Sequence, residues 1–174
     1  MNSRLDNSAG FTLIELMVIV IVLAVTLSLA VPAVQEMIKN NRVTSQTNEM
    51  LALVAFARNE AIRRNQAVTL TLASTNSGWT AEVLDPLGTA GAEHCDAGVL
   101  RCASHGRVEL GIPNGDNMDL IFNNRGYLEP FAGVEFFMEH DDCRTNQFQR
   151  RLILLRPTGQ VESCRAACSA NTCE

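Results

Sequence analysis

Along the chain, the spacing of apolar positions changes twice. From Leu16 to Gln35 no side chain is charged and almost all are aliphatic, a run of about 20 residues that, rising about 1.5 Å each, matches a hydrocarbon core of about 30 Å. Polar and charged residues enter after Pro32, but helical spacing persists through "EMIKNNRVTSQTNEMLALVAFARNEAIRRNQ". Val43, Met50, Val54, Ala57 and Ala61 recur at intervals of three, four or seven, on one face, while Arg42, Glu49, Arg63 and Arg64 lie largely elsewhere. The pattern predicts one helix from about Phe11 to Arg64, roughly 80 Å long. Its first half suits lipid and a filament, its second half a domain core. Pro32 removes a backbone hydrogen bond and predicts a kink. Beyond Asn65 the period becomes two: "AVTLTLAS", "WTAEVL", "MDLIFN", "VEFFME" and "RRLILLR" read as strands between turn-rich segments such as "STNSG" and "IPNGDN". The fold class is therefore α+β, a long N-terminal α-helix whose second half packs on an antiparallel β-sheet domain. The stretch from Asp85 to Gly106 is predicted to be an irregular loop.

Length and charge narrow this picture. At 174 residues the chain has room for one domain and an appendage. Its net charge of −5 at pH 7 supplies no general positive field for nucleic acid, although a local patch remains compatible with it. The six cysteines, Cys95, Cys102, Cys143, Cys164, Cys168 and Cys173, all lie in the C-terminal half. An even number beyond a membrane segment predicts disulfides formed in an oxidising compartment.

Glu15 interrupts the apolar segment. A carboxylate within hydrocarbon costs about 2.5 to 3.5 kcal/mol on insertion scales, so it calls for a partner. A plain single-pass anchor leaves it unexplained. Cleavage between Gly10 and Phe11 would create an α-amino group within roughly one helical turn of Glu15, or of the Glu15 of a neighbouring copy.

The stretch "GFTLIELMVIVIVLAVTLSLAVP" resembles the class III signal and N-terminal helix of type IV pilins and pseudopilins. The resemblance implies a leader over residues 1–10 cut after Gly10 by a prepilin peptidase, N-methylation of Phe11, Glu15 as the assembly charge that meets a neighbour's amine, and Pro32 as the kinking proline. The leader departs from the family in carrying only Arg4 as a basic residue, with Asp6 nearby. Residues 11–34 would form the transmembrane and assembly half of the helix, 35–65 its amphipathic half, and 66–174 a periplasmic sheet domain with a disulfide-rich tail. The implied location is the bacterial inner membrane, with incorporation into a pilus or pseudopilus.

A second resemblance covers most of the chain. "ALVAFARNEAIRRNQAVTLTLASTNSGWTAEVLD", "LIFNNRGYLEP" and "RRLILLRPTGQVESC" are similar to the GspH/FimT group of minor pilins and type II secretion pseudopilins. It implies a structural subunit of a complex that primes pilus assembly and sits at the tip. Its partners would be other minor pilins and the major pilin, or pseudopilins, together with the inner-membrane assembly platform and membrane lipid. Some members of the group take up DNA through a Gly-Arg-x-Arg motif. The corresponding stretch here is Gly159, Gln160, Val161 and Glu162, which lacks both arginines. Arg150, Arg151, Arg156 and Arg165 flank it as candidate DNA contacts, with a solvated sheet face as the simpler role.

Other candidate chemistry is weaker. His94, Cys95, Cys102 and His105 are zinc-ligand types, but the spacing fits no standard finger and an exported domain is oxidising, which favours a Cys95–Cys102 bridge. For the remainder the expected pairs are Cys143–Cys164 and Cys168–Cys173. Asp141 and Asp142 lack a glycine-punctuated calcium loop and read as a solvated turn. No nucleophile with an ordered base is recognisable, so neither enzymatic activity nor a cofactor is expected.

Overall fold

The computed structural model of the chain describes residues 11–89, 91, 94–113, 115–144, 147–168, 170, 172 and 173. It divides into two compact units, one ending at Ile38 and one beginning at Lys39. Helix α1, Leu13–Arg64, contributes to both and is continuous through Pro32. In the first unit every described residue is exposed. By length and composition the helix can cross a membrane, and the hydroxyls in this stretch are satisfied locally. Thr26 Oγ1 donates to Leu23 O at 2.9 Å and Ser28 Oγ to Val25 O at 2.7 Å, which removes the penalty of an unpaired polar group in an apolar medium.

The second unit packs the remainder of α1 on two antiparallel sheets. Nine strands follow the helix among the described residues: β1 Val68–Thr75, β2 Gly78–Leu84, β3 Val99–Gly106, β4 Val108–Gly111, β5 Asn117–Phe122, β6 Leu128–Glu129, β7 Val134–His140, β8 Arg150–Leu155 and β9 Val161–Ala166. One sheet runs β3-β2-β1-β5-β6, the other β4-β7-β8-β9. All five strands expected from period-two patterning are present as β1, β2, β5, β7 and β8. The expectation of an irregular stretch to Gly106 is corrected, because Val99–Gly106 pairs with β2. Edge strand β3 has few apolar residues to alternate, so its pairing is set by its neighbour rather than its own pattern. Arg107, at φ 65°, turns the chain from β3 into β4 and so from one sheet to the other.

The helix face predicted from spacing is the buried one. Val43, Met50, Val54, Ala57 and Ala61 join Leu70, Leu72, Trp79 and Phe122 of the first sheet and Phe136, Met138, Ile153 and Leu155 of the second in a single core. Gln46 lies on the same face. It accepts a hydrogen bond from the Trp79 indole N–H at 2.8 Å and reaches Gly106 O at 3.3 Å, so the buried polar atoms of both side chains are satisfied.

The cysteines pair as Cys95–Cys102, Cys143–Cys168 and Cys164–Cys173. The first is the bridge expected across the β2–β3 connection; the expected Cys143–Cys164 and Cys168–Cys173 pairs are corrected. Strand register explains the exchange. Cys164 lies inside β9 opposite Leu152, whereas Cys168 lies beyond the end of β9, where its N–H donates to Gln147 O at 2.7 Å in the β7–β8 connection. That contact brings Cys168, not Cys164, beside Cys143.

Gly159 has a structural assignment of its own. It sits in the β8–β9 turn at φ 76°, and a Cβ there would collide with the carbonyl oxygen of Gly126, which is backbone and cannot yield as a side chain would. Gly126 O in turn accepts from Arg58 Nε of α1 at 3.0 Å. Gly159→Ala is expected to destabilise the protein by about 2 kcal/mol or more, combining left-handed backbone strain with the clash. Urea unfolding measures it, and a change under about 0.5 kcal/mol, the scale of an inconsequential surface substitution, would refute the tight approach.

Candidate functional site

The N-terminal site begins with a capped helix. Thr12 Oγ1 accepts a hydrogen bond from the Glu15 N–H at 3.3 Å, placing Thr12 at the N-cap and Glu15 three residues on. Thr12, Leu13, Ile14 and Glu15 thus carry the T-x-x-E spacing of a capping box, a signal readable from the sequence. An acid in the first turn also meets the positive end of the helix dipole. Among the described residues the Glu15 carboxylate has no hydrogen-bond or ion-pair partner, while Phe11 beside it is 79% exposed. Gly10, the other side of the expected cut, lies outside the described residues.

This segment is therefore an extended apolar surface with one uncompensated acid near its capped end. Chemically it can do two things. It can be covered by lipid or by similar helices, which the hydrophobic effect drives, and it can bind one cation at Glu15.

The four arginines near Gly159 are not gathered on one open face. Arg150 is buried, 3.1 Å from Glu139, with its guanidinium carbon 3.6 Å from the Phe137 ring centroid and its Nη1 donating to Ala170 O at 2.9 Å. Burial, opposed by Arg150, lifts the Glu139 carboxyl above its ordinary range. Arg151 points to the opposite side of β8, where it donates to Thr44 Oγ1 of α1 at 3.0 Å. Burial, with the nearby Arg165 charge, holds its pKa below the usual arginine range. Arg165, opposite Arg151 in the ladder, is exposed and lies over the Phe148 ring at 5.3 Å. Arg156 closes the β8–β9 hairpin on Glu162 at 3.1 Å, and this hydrogen-bonded pairing lowers the Glu162 pKa. The register brings together only Arg151 and Arg165.

Among the zinc-ligand types, the sulfurs of Cys95 and Cys102 are bonded to each other, and His105 Nε2 lies 2.7 Å from Glu49 of α1. Asp142 is likewise engaged, forming an ion pair with Lys39. The residues that sequence reasoning missed here are polar groups tying α1 to the sheets: Gln46, Glu49 and Arg58. Gln46 in particular stands at a spacing of four before Met50, on a buried face that is apolar apart from Gln46, Thr47 and Glu60.

Comparison with known proteins adds three findings. A family model described as type II transport protein GspH matches residues 46–159, and one described as a prokaryotic N-terminal methylation motif matches residues 5–31. No curated protein matches the chain. Two crystal structures of the type IV minor pilin FimU of Pseudomonas aeruginosa share its fold. The P21 form aligns with a TM-score of 0.51 at 18% identity, covering 70% of this chain and 87% of that one. The P65 form gives 0.52 at 16% identity, covering 75% and 99%.

Proposed function

The chain belongs to the GspH family of type II transport proteins, a structural group of minor pilins and pseudopilins, and on that premise we propose that it is a minor type IV pilin of the complex that primes pilus assembly and caps the tip. The observation that carries this reading is the exposed apolar stretch of α1 from Leu13 to Val34, with the carboxylate of Glu15 in its first turn lacking a partner among the described residues. A prepilin peptidase would cut between Gly10 and Phe11 and the new Phe11 amine would be methylated. Residues 11–34 would hold the subunit in the inner membrane with the sheet unit in the periplasm. On assembly Glu15 would meet the amine of a neighbouring subunit, setting register, while helix-to-helix burial would supply most of the adhesion. The neighbours would be other minor pilins and the major pilin, recruited at the inner-membrane platform.

A second reading, a minor pseudopilin of type II secretion, is favoured by the description of the matching family model. DNA uptake receives less support, because Arg150, Arg151 and Arg156 are engaged in contacts within the domain.

The test is intact mass with N-terminal fragmentation of protein from native membranes, followed by identification of the pilin-like proteins that co-isolate with it. A chain beginning at N-methylated Phe11 and travelling with pilus subunits supports the first reading. Travelling with secretion pseudopilins transfers it to the second. A chain retaining residues 1–10 overturns both.

A further inference from the structure

At one corner of the four-stranded sheet, β7 begins before its neighbour on one side arrives. Strand β8 accompanies β7 from Val134 to Glu139, but β4 lies beside it only from Phe137 to His140. Val134, Glu135 and Phe136 therefore have a strand on one side and, among the described residues, none on the other. Past Gly111 the chain turns away through Ile112 and Pro113, leaving a hollow between these residues and Glu135. A second hollow lies on the other side of Glu135, against Leu154 and Pro157.

Glu135 is common to both hollows and is exposed. Alternation along β7 puts it on the same face as Phe137 and Glu139, with Leu154 and Leu152 opposite them on β8. Of the other acids on this face, Glu139 lies beside Arg150 and Glu162 beside Arg156, while Glu109, opposite Glu139 on β4, has no ion pair among the described residues. Glu135 has no such partner among the described residues. The corner thus combines a short stretch of strand edge, a half-buried apolar side chain at Leu154, and a negative charge at Glu135 with no ion pair among the described residues. An extended segment satisfies all three, since its main chain can continue the ladder while its alternate side chains reach the hollows.

We propose that this corner seats an extended segment of a neighbouring pilin-type subunit, with a lysine or arginine of that segment on Glu135 and an apolar neighbour on Leu154. The inference rests on the reading of the chain as a filament subunit but concerns a surface separate from the apolar helix. Contact through the helix brings subunits together; contact at Glu135 would select which subunit stands alongside.

The experiment places a photoreactive benzoylphenylalanine at Leu154, and separately at Pro113, in the full chain in native membranes, with the crosslinked peptides identified by mass spectrometry. The expected adduct from both positions lies in one non-helical, lysine- or arginine-bearing segment of a different pilin-type subunit. Glu135→Lys should lower its yield by at least about tenfold, because like charges then face each other, and exchanging the partner's basic residue for glutamate should restore it. Because Glu135 is exposed, the thermal melt should be unchanged, and Glu135→Gln should give an intermediate yield. An adduct to a second copy of this chain, to a helix, to lipid or to nothing overturns the proposal, as does a yield insensitive to Glu135→Lys. Co-isolation of the unsubstituted chain separates the two levels. With pilin-type subunits present but no such adduct, only the docking at Glu135 fails; with no such subunits present, the filament reading fails and the docking with it.

Discussion

The full chain carrying Glu15→Val is expected to be cut after Gly10 and inserted in the membrane, yet to be missing from the assembled filament or tip complex. The local structure is prepared to survive the change. The bond at this position runs from the backbone N–H of residue 15 to Thr12 Oγ1, so valine retains it. What the helix loses is the interaction of the acid with its dipole, about 0.3 to 1 kcal/mol. Insertion becomes easier, because the cost of about 2.5 to 3.5 kcal/mol for an acid in hydrocarbon disappears. Against these stands a charge pair with a neighbour's amine, about 4 kcal/mol at 4 Å with an effective dielectric constant near 20, equivalent to roughly a thousandfold in association. The balance predicts a variant that is content in the membrane and absent from the assembly. Quantifying processed subunit in membranes and in sheared or purified filaments tests it, with Glu15→Asp retaining part of the incorporation. Normal incorporation of Glu15→Val would remove the docking role from this carboxylate.

Loss of the Cys143–Cys168 bridge should be the most damaging of the three disulfide deletions to the second unit. Its sequence separation is 25, against 7 for Cys95–Cys102 and 9 for Cys164–Cys173. Chain-entropy arguments then give about 3.5 kcal/mol for the first and about 2.5 kcal/mol for the other two. The tertiary setting reinforces the order. Cys168 is 4% exposed, and the chain leaving it delivers Ala170 O to the buried Arg150 guanidinium. Freeing the tail withdraws that acceptor from a buried charge. The Cys95–Cys102 bridge instead closes a short connection at the edge of the other sheet. Paired serine substitutions, melted under non-reducing conditions, should lower Tm by about 10 °C for Cys143/Cys168 and by less for Cys95/Cys102. Equal or inverted losses would show that the tail bridge does not anchor the fold.

The two expectations differ in how far they could be reached from the residues alone. Glu15 stands out because one acid precedes an uninterrupted run of uncharged residues, a contrast visible without coordinates. The buried face of α1 was legible for the same reason: a period near 3.6 persists through Val43, Met50, Val54, Ala57 and Ala61. The central strands announced themselves by alternation. Strands β3 and β9 did not, since "VLRCASHG" and "VESCRA" are edge segments with one face wet and few apolar residues to mark the other. Gln46 was invisible to a hydrophobic pattern because its burial depends on Trp79, 33 residues away. The Cys95–Cys102 bridge was legible, but the pairing of Cys143, Cys164, Cys168 and Cys173 was not, because proximity in the chain says nothing about which cysteine lies inside β9 and which beyond its end.

The sequence by itself determined the period of each element, the apolar span, the site of its single acid and the helix face destined for the core, because each depends on residues within a few turns of one another. Tertiary structure alone decided the division into two sheets, the pairing of Cys143 with Cys168, the dispersal of the four arginines and the short edge beside Glu135 that no described strand pairs. Those follow from strand order and register, which couple residues far apart in the chain, and a shift of one residue would send every side chain of a strand to the other face.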